Sequence, residues 1–469
     1  MKMNNRKNNK DRMPLLRIMI VFCTMLVCIS GCKKYLDASP DKQLTTPKTI
    51  QDLRAILDYN SSLNSNYSPY GANASDDYYV TDDVYDALTD VVAKNNYTWG
   101  LIAETADMYL DWQYNYQRLF NVNVVLDYFD KVAKADASEA DINSIKGEAL
   151  FYRAFTMFTM SQVYAMPYNP SSAASTPGIP YKLTADINEP VTRPSLQQNY
   201  QQMAEDLQKA ITLLKPPGVS LLRPDRPAAC LALANVYLVM QQFDKAGSYA
   251  DSCLKYQNQL IDYNHISLSS SNPFELFNKE VIWQADLATN TILATSKSRI
   301  DTLFYSSFQD NDLRKQVFFK QSGSSPATFK GYYNGQSKGS SVYFSGLAVD
   351  EAYLVKAECE ARTGNPDAAM VTLNALLVNR YDSTFVPFAA SAQQQAIDII
   401  LEQRRKELCF RGSLRWMDIR RLNQFDNSKI TLTREIHGQE YKLLPGDPHF
   451  AFLIPQNAID NSHIKQNER

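Results

Sequence analysis

The stretch from Cys230 to Leu254 reads CLALANVYLVMQQFDKAGSYADSCL. Its apolar residues recur every three or four positions in two blocks, which is the spacing of one buried face of an α-helix. Phe243 and Asp244 mark the turn between the blocks. Ala234 and Ala246, one in each block, are small enough to let two antiparallel helices pack closely. The stretch therefore predicts a helical hairpin.

A second stretch, from Tyr353 to Leu377, repeats this arrangement as YLVKAECEARTGNPDAAMVTLNALL. Ala357 and Ala369 are twelve positions apart, the same interval as in the first hairpin. The triplet Gly364-Asn365-Pro366 fits the turn between its two helices. Repeats of this kind are typical of tetratricopeptide (TPR) scaffolds, in which stacked hairpins share one continuous core.

The rest of the chain extends this to a mainly α fold. Weaker copies of the pattern lie around 148–164 and 200–214, the latter preceded by a capping box that begins at Ser195. We expect TPR-like hairpins over about 105–260 and 347–422.

Three stretches lack the helical pattern. Residues 60–99 and 268–345 mix polar and aromatic residues, and 166–194 is rich in Pro, Ser and Thr. Long irregular segments inside a compact protein tend to carry function. We therefore predict one large domain over 45–469, with a loop-rich insert at about 265–346 and ligand contacts on the loops.

Charge and composition exclude several classes of function. The 469 residues include 48 basic and 50 acidic side chains, and 45% of them are hydrophobic. This balance gives no electrostatic basis for binding nucleic acid, and the apolar content is too high for a disordered protein. The 28 tyrosines favour a wet binding surface, because tyrosine joins an apolar ring to a polar tip.

The N-terminus has the form of a secretory leader. Six Lys and Arg residues precede a twelve-residue apolar run, Ile18 to Ile29, which is too short to span a membrane. The following tetrad, Ile29-Ser30-Gly31-Cys32, resembles a bacterial lipobox, in which the Cys receives a lipid after cleavage. We expect residues 1–31 to be a lipoprotein signal peptide, Cys32 the lipid attachment site and 32–44 a tether.

Motifs for catalysis are missing from the sequence. The four histidines are scattered, and there is no HExxH, Cys-x-x-Cys or phosphate loop. Gly335 to Gly339 reads Gly-x-Ser-x-Gly, but it lies in a Ser- and Gly-rich stretch without the strand–turn–helix pattern of a nucleophile elbow. We expect no enzyme, cofactor or metal, although a glycosidase needs only two facing carboxylates, which a sequence does not exclude. The pairs Asp76-Asp77 and Asp82-Asp83 suit a calcium ion or, in our preferred interpretation, a solvated acidic loop. Cys230 and Cys253 are interpreted as buried thiols, with a bridge between them as the alternative.

Several segments carry motifs of one family, in the same order. They are Cys32 to Asp37 with Pro40, WQYNYQRLFNVNVVLD from Trp112, KGEALFYRAFTMFTMSQVYAMPY from Lys146, EQRRKELCFRGSLRWMDIRRL from Glu402, and IPQNAID from Ile454. Together they span nearly all of the mature chain, which resembles the SusD/RagB family of surface nutrient-binding lipoproteins of Bacteroidetes. In physical terms, the arginines of 402–422 are able to fasten a packed helix to neighbouring carboxylates and carbonyls.

The resemblance implies a lipid-anchored outer-membrane protein that faces the cell exterior. Such a protein binds an oligosaccharide without catalysis and delivers it to a SusC-like TonB-dependent transporter. Two alternatives stay open: a peptide or another nutrient as the cargo of the same kind of uptake complex, and a TPR-type protein-interaction module. A loop surface with exposed aromatic rings favours glycan, whereas a groove lined by helix residues favours a protein partner.

Sugar rings stack on aromatic planes, and their hydroxyls pair with amide, carboxylate and guanidinium groups. We therefore place the candidate ligand contacts on two of the irregular stretches. They are Asn73, Asp77, Tyr78, Tyr79 and Trp99 in the first, and Trp283, Arg299, Tyr305, Tyr332, Tyr333 and Asn334 in the second. For each aromatic residue the alternative is a ring packed on the scaffold.

Overall fold

A computed structural model describes residues 46–102, 109–135, 137–218, 220–335, 341–425 and 429–469. The expected signal peptide, Cys32 and the tether lie outside the described residues. Lys48–Arg469 form one compact unit. The described ranges contain seventeen α-helices and only short strands, so the predicted mainly α fold is confirmed.

In the described ranges, nine helices have twelve or more residues and eight have eight residues or fewer. Helices α1 to α17 are Ile50–Leu57, Asn60–Leu63, Tyr70–Ala74, Asp82–Ala87, Val91–Tyr97, Tyr109–Tyr128, Glu139–Tyr164, Leu196–Leu213, Arg226–Val239, Phe243–Tyr256, Thr302–Ser306, Arg314–Phe318, Val349–Arg362, Pro366–Leu377, Gln393–Glu407, Leu414–Phe425 and Gln456–Ser462. Two short 3-10 helices are Tyr263–His265 and Pro448–Phe450.

The strands form only two-stranded antiparallel ribbons. Strands β1 to β8 are Tyr78–Tyr79, Val281–Trp283, Arg299–Ile300, Phe319–Lys320, Thr328–Phe329, Leu347–Ala348, Leu432–Ile436 and Gln439–Leu443. β1 pairs with β3, β2 with β6, β4 with β5 and β7 with β8.

The long helices stack as successive hairpins. From α6 to α10 each helix packs against the next, and α10 then packs against α13, which also contacts α14 and α15. Asp251 of α10 accepts a hydrogen bond from Lys356 Nζ at 2.7 Å. Just beyond the end of α10, Asn258 O accepts one from Tyr353 OH at 3.4 Å, so α10 and α13 run antiparallel. The insert 257–348 therefore lies between two helices that contact each other directly.

The hairpin turns follow the sequence pattern with one shift. The turn of the first hairpin is at 240–242, where Gln241 has φ of 61°, and α10 begins at Phe243 rather than after it. The second turn lies at the predicted triplet, with Gly364 at φ of 88° and Pro366 opening α14. Ser195 caps α8 in a capping box with Gln198, as the spacing predicts.

Two of the three stretches predicted to be irregular are partly ordered into short elements. Residues 60–99 contain α2 to α5 and β1, and residues 268–345 contain β2 to β5 with α11 and α12. The stretch 166–194 has neither a helix nor a strand of its own. Elements of two to seven residues leave no periodic pattern long enough to detect in sequence.

The motif from Glu402 to Leu422 forms the end of α15 and most of α16, with a break at 408–413 in which Phe410 and Gly412 have positive φ. Its arginines bond to the rest of the protein. Both guanidinium ends of Arg421 reach Glu358 of α13 at 2.7 Å.

The motif contains two acid–base pairs four positions apart, Glu402 with Lys406 and Glu407 with Arg411, and only the first forms. Glu402 and Lys406 form their pair at 2.5 Å. Glu407 instead bonds Arg380 and Arg314, while Arg411 pairs with Asp350. The break after α15 separates Glu407 from Arg411, which removes their helical spacing.

The four cysteines that the structure describes, Cys230, Cys253, Cys359 and Cys409, are free and buried. The interpretation as small buried side chains therefore fits better than a bridge between Cys230 and Cys253. Burial raises the pKa of the Cys230 thiol to about 12, which keeps it protonated and unreactive.

A polar cleft as the candidate functional site

A cleft of about 370 Å³ opens where four segments of the chain meet. Its lining comes from 66–73 around α3, 90–93 at the start of α5, 110–114 in the first turns of α6, and 288–290 of the insert. We call this the polar cleft. Its volume is in the range of pockets that hold small ligands, about 300–1,000 Å³.

Hydrogen bonds join three of the four segments that form the polar cleft. Asp90 caps α5 by accepting from the Ala93 amide at 3.0 Å, and its other oxygen accepts from Thr291 Oγ1 at 3.3 Å. Asn290 Nδ2 donates to Asn73 Oδ1. These bonds tie the insert to α3 and to α5, so the cleft is largely preformed.

Two buried oxygen atoms in this lining are without hydrogen-bond partners among the described residues. They are Oδ1 of Asp111, whose residue is 5% exposed, and Oδ1 of Asn290, whose residue is 2% exposed. An unpaired buried acceptor is costly, so it favours a donor from a bound molecule.

Asp111 has a perturbed environment. Burial raises the pKa of this carboxyl to about 6, while the Tyr164 hydroxyl, donating to its Oδ2 at 2.8 Å, opposes the rise. The group is therefore mostly ionised at neutral pH and has one oxygen free to accept.

Tyr114 adds an aromatic ring at the edge of the cleft. It is 38% exposed, and Leu110 beside it is 49% exposed. Tyr114 follows Asp111 by three positions in α6, so the two side chains share one face of the helix. A planar ring next to a hydrogen-bond acceptor is the combination that a sugar requires.

The other cavities suit a ligand less well. An internal cavity lined by Asn235, Glu351 and Arg411 measures about 50 Å³, which is too small for a sugar ring. Three more open depressions, of about 300 to 530 Å³, lie on the surfaces of α10, α13 and α14. Within the described part of the chain, none of their lining side chains has a buried polar atom without a partner.

Most of the aromatic residues selected from the sequence lie in the core rather than on a loop surface. Trp99, Trp283, Tyr78, Tyr332 and Tyr333 are each less than 5% exposed. Their faces are covered by protein: four rings surround Trp283 at 5.0 to 6.0 Å, and the Arg411 guanidinium lies 3.3 Å from the Tyr333 ring centre. An exposed stacking surface made of these rings is therefore not present in the structure.

The polar candidates lie in different parts of the structure. Asn73 lines the polar cleft. Asp77 is buried against Arg405, with 3.4 Å between Oδ1 and Nε, and Asn334 donates to Asp286 at 2.9 Å. Both side chains therefore hold the fold together.

The remaining candidates are half-buried and lie outside the cleft lining. Tyr79 and Arg299 face each other in the β1–β3 pair, and Arg299 donates to the backbone carbonyls of 295 and 298. The Tyr305 hydroxyl donates to Gln321 at 3.0 Å. The structure thus brings only Asn73 of the eleven predicted contacts into the cleft.

Sequence reasoning missed the residues of the cleft that stand out physically: Asp90, Asp111, Tyr114 and Asn290. Tyr114 lies in the motif that begins at Trp112 and Asp111 directly precedes it, within the range 105–260 that was predicted to form scaffold hairpins. Their three-residue spacing at a helix start was the available signal, but it is common and does not reveal that an oxygen is left unpaired.

Metal-binding groups and membrane-spanning helices are the two remaining features to consider. Among the described residues no group of three or more His, Cys, Asp and Glu is arranged to hold a metal ion. Asp76, the candidate calcium ligand, bonds Arg415 at 2.7 and 2.8 Å instead. In the same part of the chain, no helix has both the length and the apolar character needed to cross a bilayer.

Two sequence families match this chain. Residues 34–238 match a SusD-like family described as starch-binding and associating with the outer membrane, and residues 349–446 match the SusD family itself. No curated protein is similar enough in sequence to count as a match.

Solved structures share the fold. A putative sugar binding protein from Bacteroides vulgatus has 19% identity and a TM-score of 0.74, covering 90% of this chain and 99% of its own. A SusD superfamily protein from Bacteroides thetaiotaomicron has 20% identity and a TM-score of 0.73, covering 90% and 100%. Surface glycan-binding protein A from Bacteroides uniformis has 16% identity and a TM-score of 0.70, covering 89% and 99%.

The sequence matches fall on the two helical parts of the chain, before and after the insert, and the structural matches extend across nearly all of it. The motifs at Lys146 and Glu402 lie within the matched segments. The chain therefore belongs to the SusD/RagB family.

Proposed function

We propose that this protein is a non-catalytic, lipid-anchored outer-membrane protein that captures an oligosaccharide in the polar cleft and delivers it to a SusC-like TonB-dependent transporter. The observation that carries the proposal is the pairing of an unpartnered, buried carboxylate oxygen on Asp111 with the exposed ring of Tyr114. Membership of a carbohydrate-binding family supports it.

The cleft offers the two kinds of contact that bind a sugar. The ring of Tyr114 is able to stack on the apolar face of a sugar, and the free oxygens of Asp111 and Asn290 accept from its hydroxyls. The cleft needs no metal and no nucleophile for this. Because its segments are already bonded to one another, binding costs little ordering of the protein.

The test is titration calorimetry of the mature chain, from Lys33 onward, against plant, host and fungal oligosaccharides and a mixed peptide library. We expect a saccharide to bind, and Tyr114→Ala to weaken it about five- to tenfold, because loss of a stacking contact costs about 1 kcal/mol. Asn290→Ala should weaken it as well. Tyr59→Ala is the matched control, since Tyr59 is 60% exposed and lies outside the cleft.

Two outcomes would contradict the proposal. Heat from peptides with none from sugars would change the cargo, and sugar binding that is unaffected by both cleft variants would place the site elsewhere.

The anchor and the partner have their own test. Cys32→Ala should release the protein from the membrane fraction, and purification of the native protein should recover a TonB-dependent transporter with it.

A further inference from the structure

The charge of the polar cleft is one-sided. Asp90 and Asp111 belong to its lining, and no lysine, arginine or histidine is among the described residues that form it. Asp90 lies exposed at the rim, whereas Asp111 is buried deeper. A ligand that enters the cleft therefore meets negative charge at two depths.

Neutral groups are the hydrogen-bond partners of both carboxylates. Asp90 accepts from a backbone amide and from a threonine hydroxyl. Asp111 accepts from the Tyr164 hydroxyl, and the Ser68 hydroxyl also stabilises its carboxylate. Arg118 is the cation that acts on Asp111, but its guanidinium donates to Ser62 O, Ser65 O and Asn115 Oδ1. Among the described residues, neither carboxylate is therefore paired with a cation.

Several other buried carboxylates of this protein pair directly with arginine. Asp206 receives two bonds from Arg153, at 2.7 and 2.8 Å, and Glu358 receives two from Arg421. Burial of an unpaired charge is costly unless it is compensated. Asp111 lacks this compensation at the point where its free oxygen lines a cleft.

We propose that the polar cleft selects uncharged saccharides and rejects acidic ones, such as uronic, sialic or sulfated sugars, and that Asp111 is the residue that sets this specificity. The inference rests on the proposed function. A sugar hydroxyl donates to Asp111 Oδ1, whereas a sugar carboxylate or sulfate at the same place faces a like charge. The repulsion is strong because solvent screens a buried site poorly. Specificity of this kind comes from a group that penalises the wrong ligand.

The experiment compares matched pairs of ligands at pH 7.5, at which Asp111 is ionised. One pair is an oligogalacturonide and its carboxyl-reduced counterpart, and another is a sialylated glycan before and after removal of sialic acid. We expect the uncharged member of a bound pair to bind at least about tenfold more tightly. The readout is the ratio of the two dissociation constants, so a general loss of affinity in a variant does not affect it.

Two cleft variants and one control test whether the charge selection comes from the cleft. Asp111→Asn should reduce the ratio about fivefold or more. Asp90→Asn should reduce it less, and it preserves the helix cap because asparagine is an equally good capping residue. Asp367→Asn is the matched control: it makes the same change in net charge at an exposed position of α14 and should leave the ratio unchanged.

The outcomes separate this inference from the function on which it rests. Equal binding of both members of each bound pair, or tighter binding of the acidic one, would overturn the charge selection and leave glycan capture intact. A ratio that changes equally in Asp111→Asn and Asp367→Asn would remove the role of Asp111. If neither member of any pair binds, the proposed function is wrong and the inference is wrong with it.

Discussion

The type of a residue does not decide whether its ring binds a ligand or builds the core. Trp283 is fully buried among Tyr67, Phe151, Tyr152 and Phe155, at ring distances of 5.0 to 6.0 Å. Tyr114 has less aromatic surface but exposes more than a third of it. Exposure, which is absent from a single sequence, is what separates the two roles.

Replacement of Trp283 should therefore affect stability. Trp283→Ala leaves a cavity in the core and should lower the free energy of unfolding by about 3–5 kcal/mol. Urea denaturation measures this, with Leu303→Ala as a control near zero because Leu303 is 80% exposed. If Trp283→Ala keeps its stability and loses only saccharide binding, Trp283 contacts the ligand and is not a core residue.

Asp111 should leave a signature in the dependence of stability on pH. Burial raises its folded pKa from 3.8 to about 6, against the Tyr164 hydroxyl and the charge of Arg118, which lower it. Between these values the folded protein keeps a proton that the unfolded chain has lost, so stability falls as pH rises through this window. The loss is about 3 kcal/mol when complete.

Asp111→Asn has no carboxyl group to titrate at this position. Its free energy of unfolding should therefore fall less steeply as the pH rises from 4 to 6. Urea unfolding at several pH values, for the unmodified protein and for Asp111→Asn, measures the two slopes. Parallel curves for the two proteins would mean that the carboxyl titrates with an ordinary pKa, and that burial does not disfavour its charge.

At the scale of elements, the contact between α10 and α13 continues the stack of hairpins across the insert. Gly247 makes the close approach possible, since a Cβ at this position would lie 2.9 Å from Cys359 Cβ. A larger side chain has to push the two helices apart. The contact joins residues that are far apart in sequence, but the two helices pack antiparallel, as they do within each hairpin.

Gly247→Val should therefore lower the free energy of unfolding by about 1–3 kcal/mol, the usual cost of overpacking. Gly218→Ala is the comparison, because nothing lies within 4 Å of a Cβ at that position. Thermal or urea unfolding measures both. If Gly247→Val proves neutral, the two helices are not held as closely as the structure has them.

The long helices were the part of the fold that could be predicted from the sequence. Periodicity over ten or more residues gave the helices of both hairpins, and the turn at Gly364 and the cap at Ser195 follow local chemistry. The short elements of 60–99 and 268–345, together with the break inside 402–422, depend on contacts between distant segments. Asn290 and Asp111 belong to the cleft for the same reason, and a residue pattern does not record such contacts.

At the scale of the whole molecule, buried ion pairs bind the insert to the helices. Glu280 is the centre of this network: it accepts from Arg380 Nη2 and from the Ile261 amide at 2.7 Å each, and from the Tyr333 hydroxyl at 2.5 Å. Arg380 also bonds Glu407 of α15. The same insert supplies Asn290 to the polar cleft, so the network and the cleft are parts of one body.

Loss of the Glu280 charge should thus affect both stability and binding. Glu280→Gln leaves Arg380 with only part of its compensation and should lower the free energy of unfolding by about 3 kcal/mol. It should also weaken saccharide binding, although Glu280 does not line the cleft. Calorimetry and urea unfolding measure the two effects, with Glu205→Gln, at an exposed position of α8, as the control. Unchanged binding in a destabilised variant would show that the cleft is independent of the network.

The position of the insert has a consequence for engineering and for divergence among relatives. Because α10 and α13 contact each other and run antiparallel, the two ends of 257–348 leave and re-enter the frame at neighbouring points. The exposed loops of such a segment are exchangeable as long as Glu280 and Trp283 keep their core contacts. A loop of another length between these fixed points adds only a small entropic cost. One scaffold of hairpins could thus host many recognition loops, each evolving a different cargo preference without rebuilding the frame.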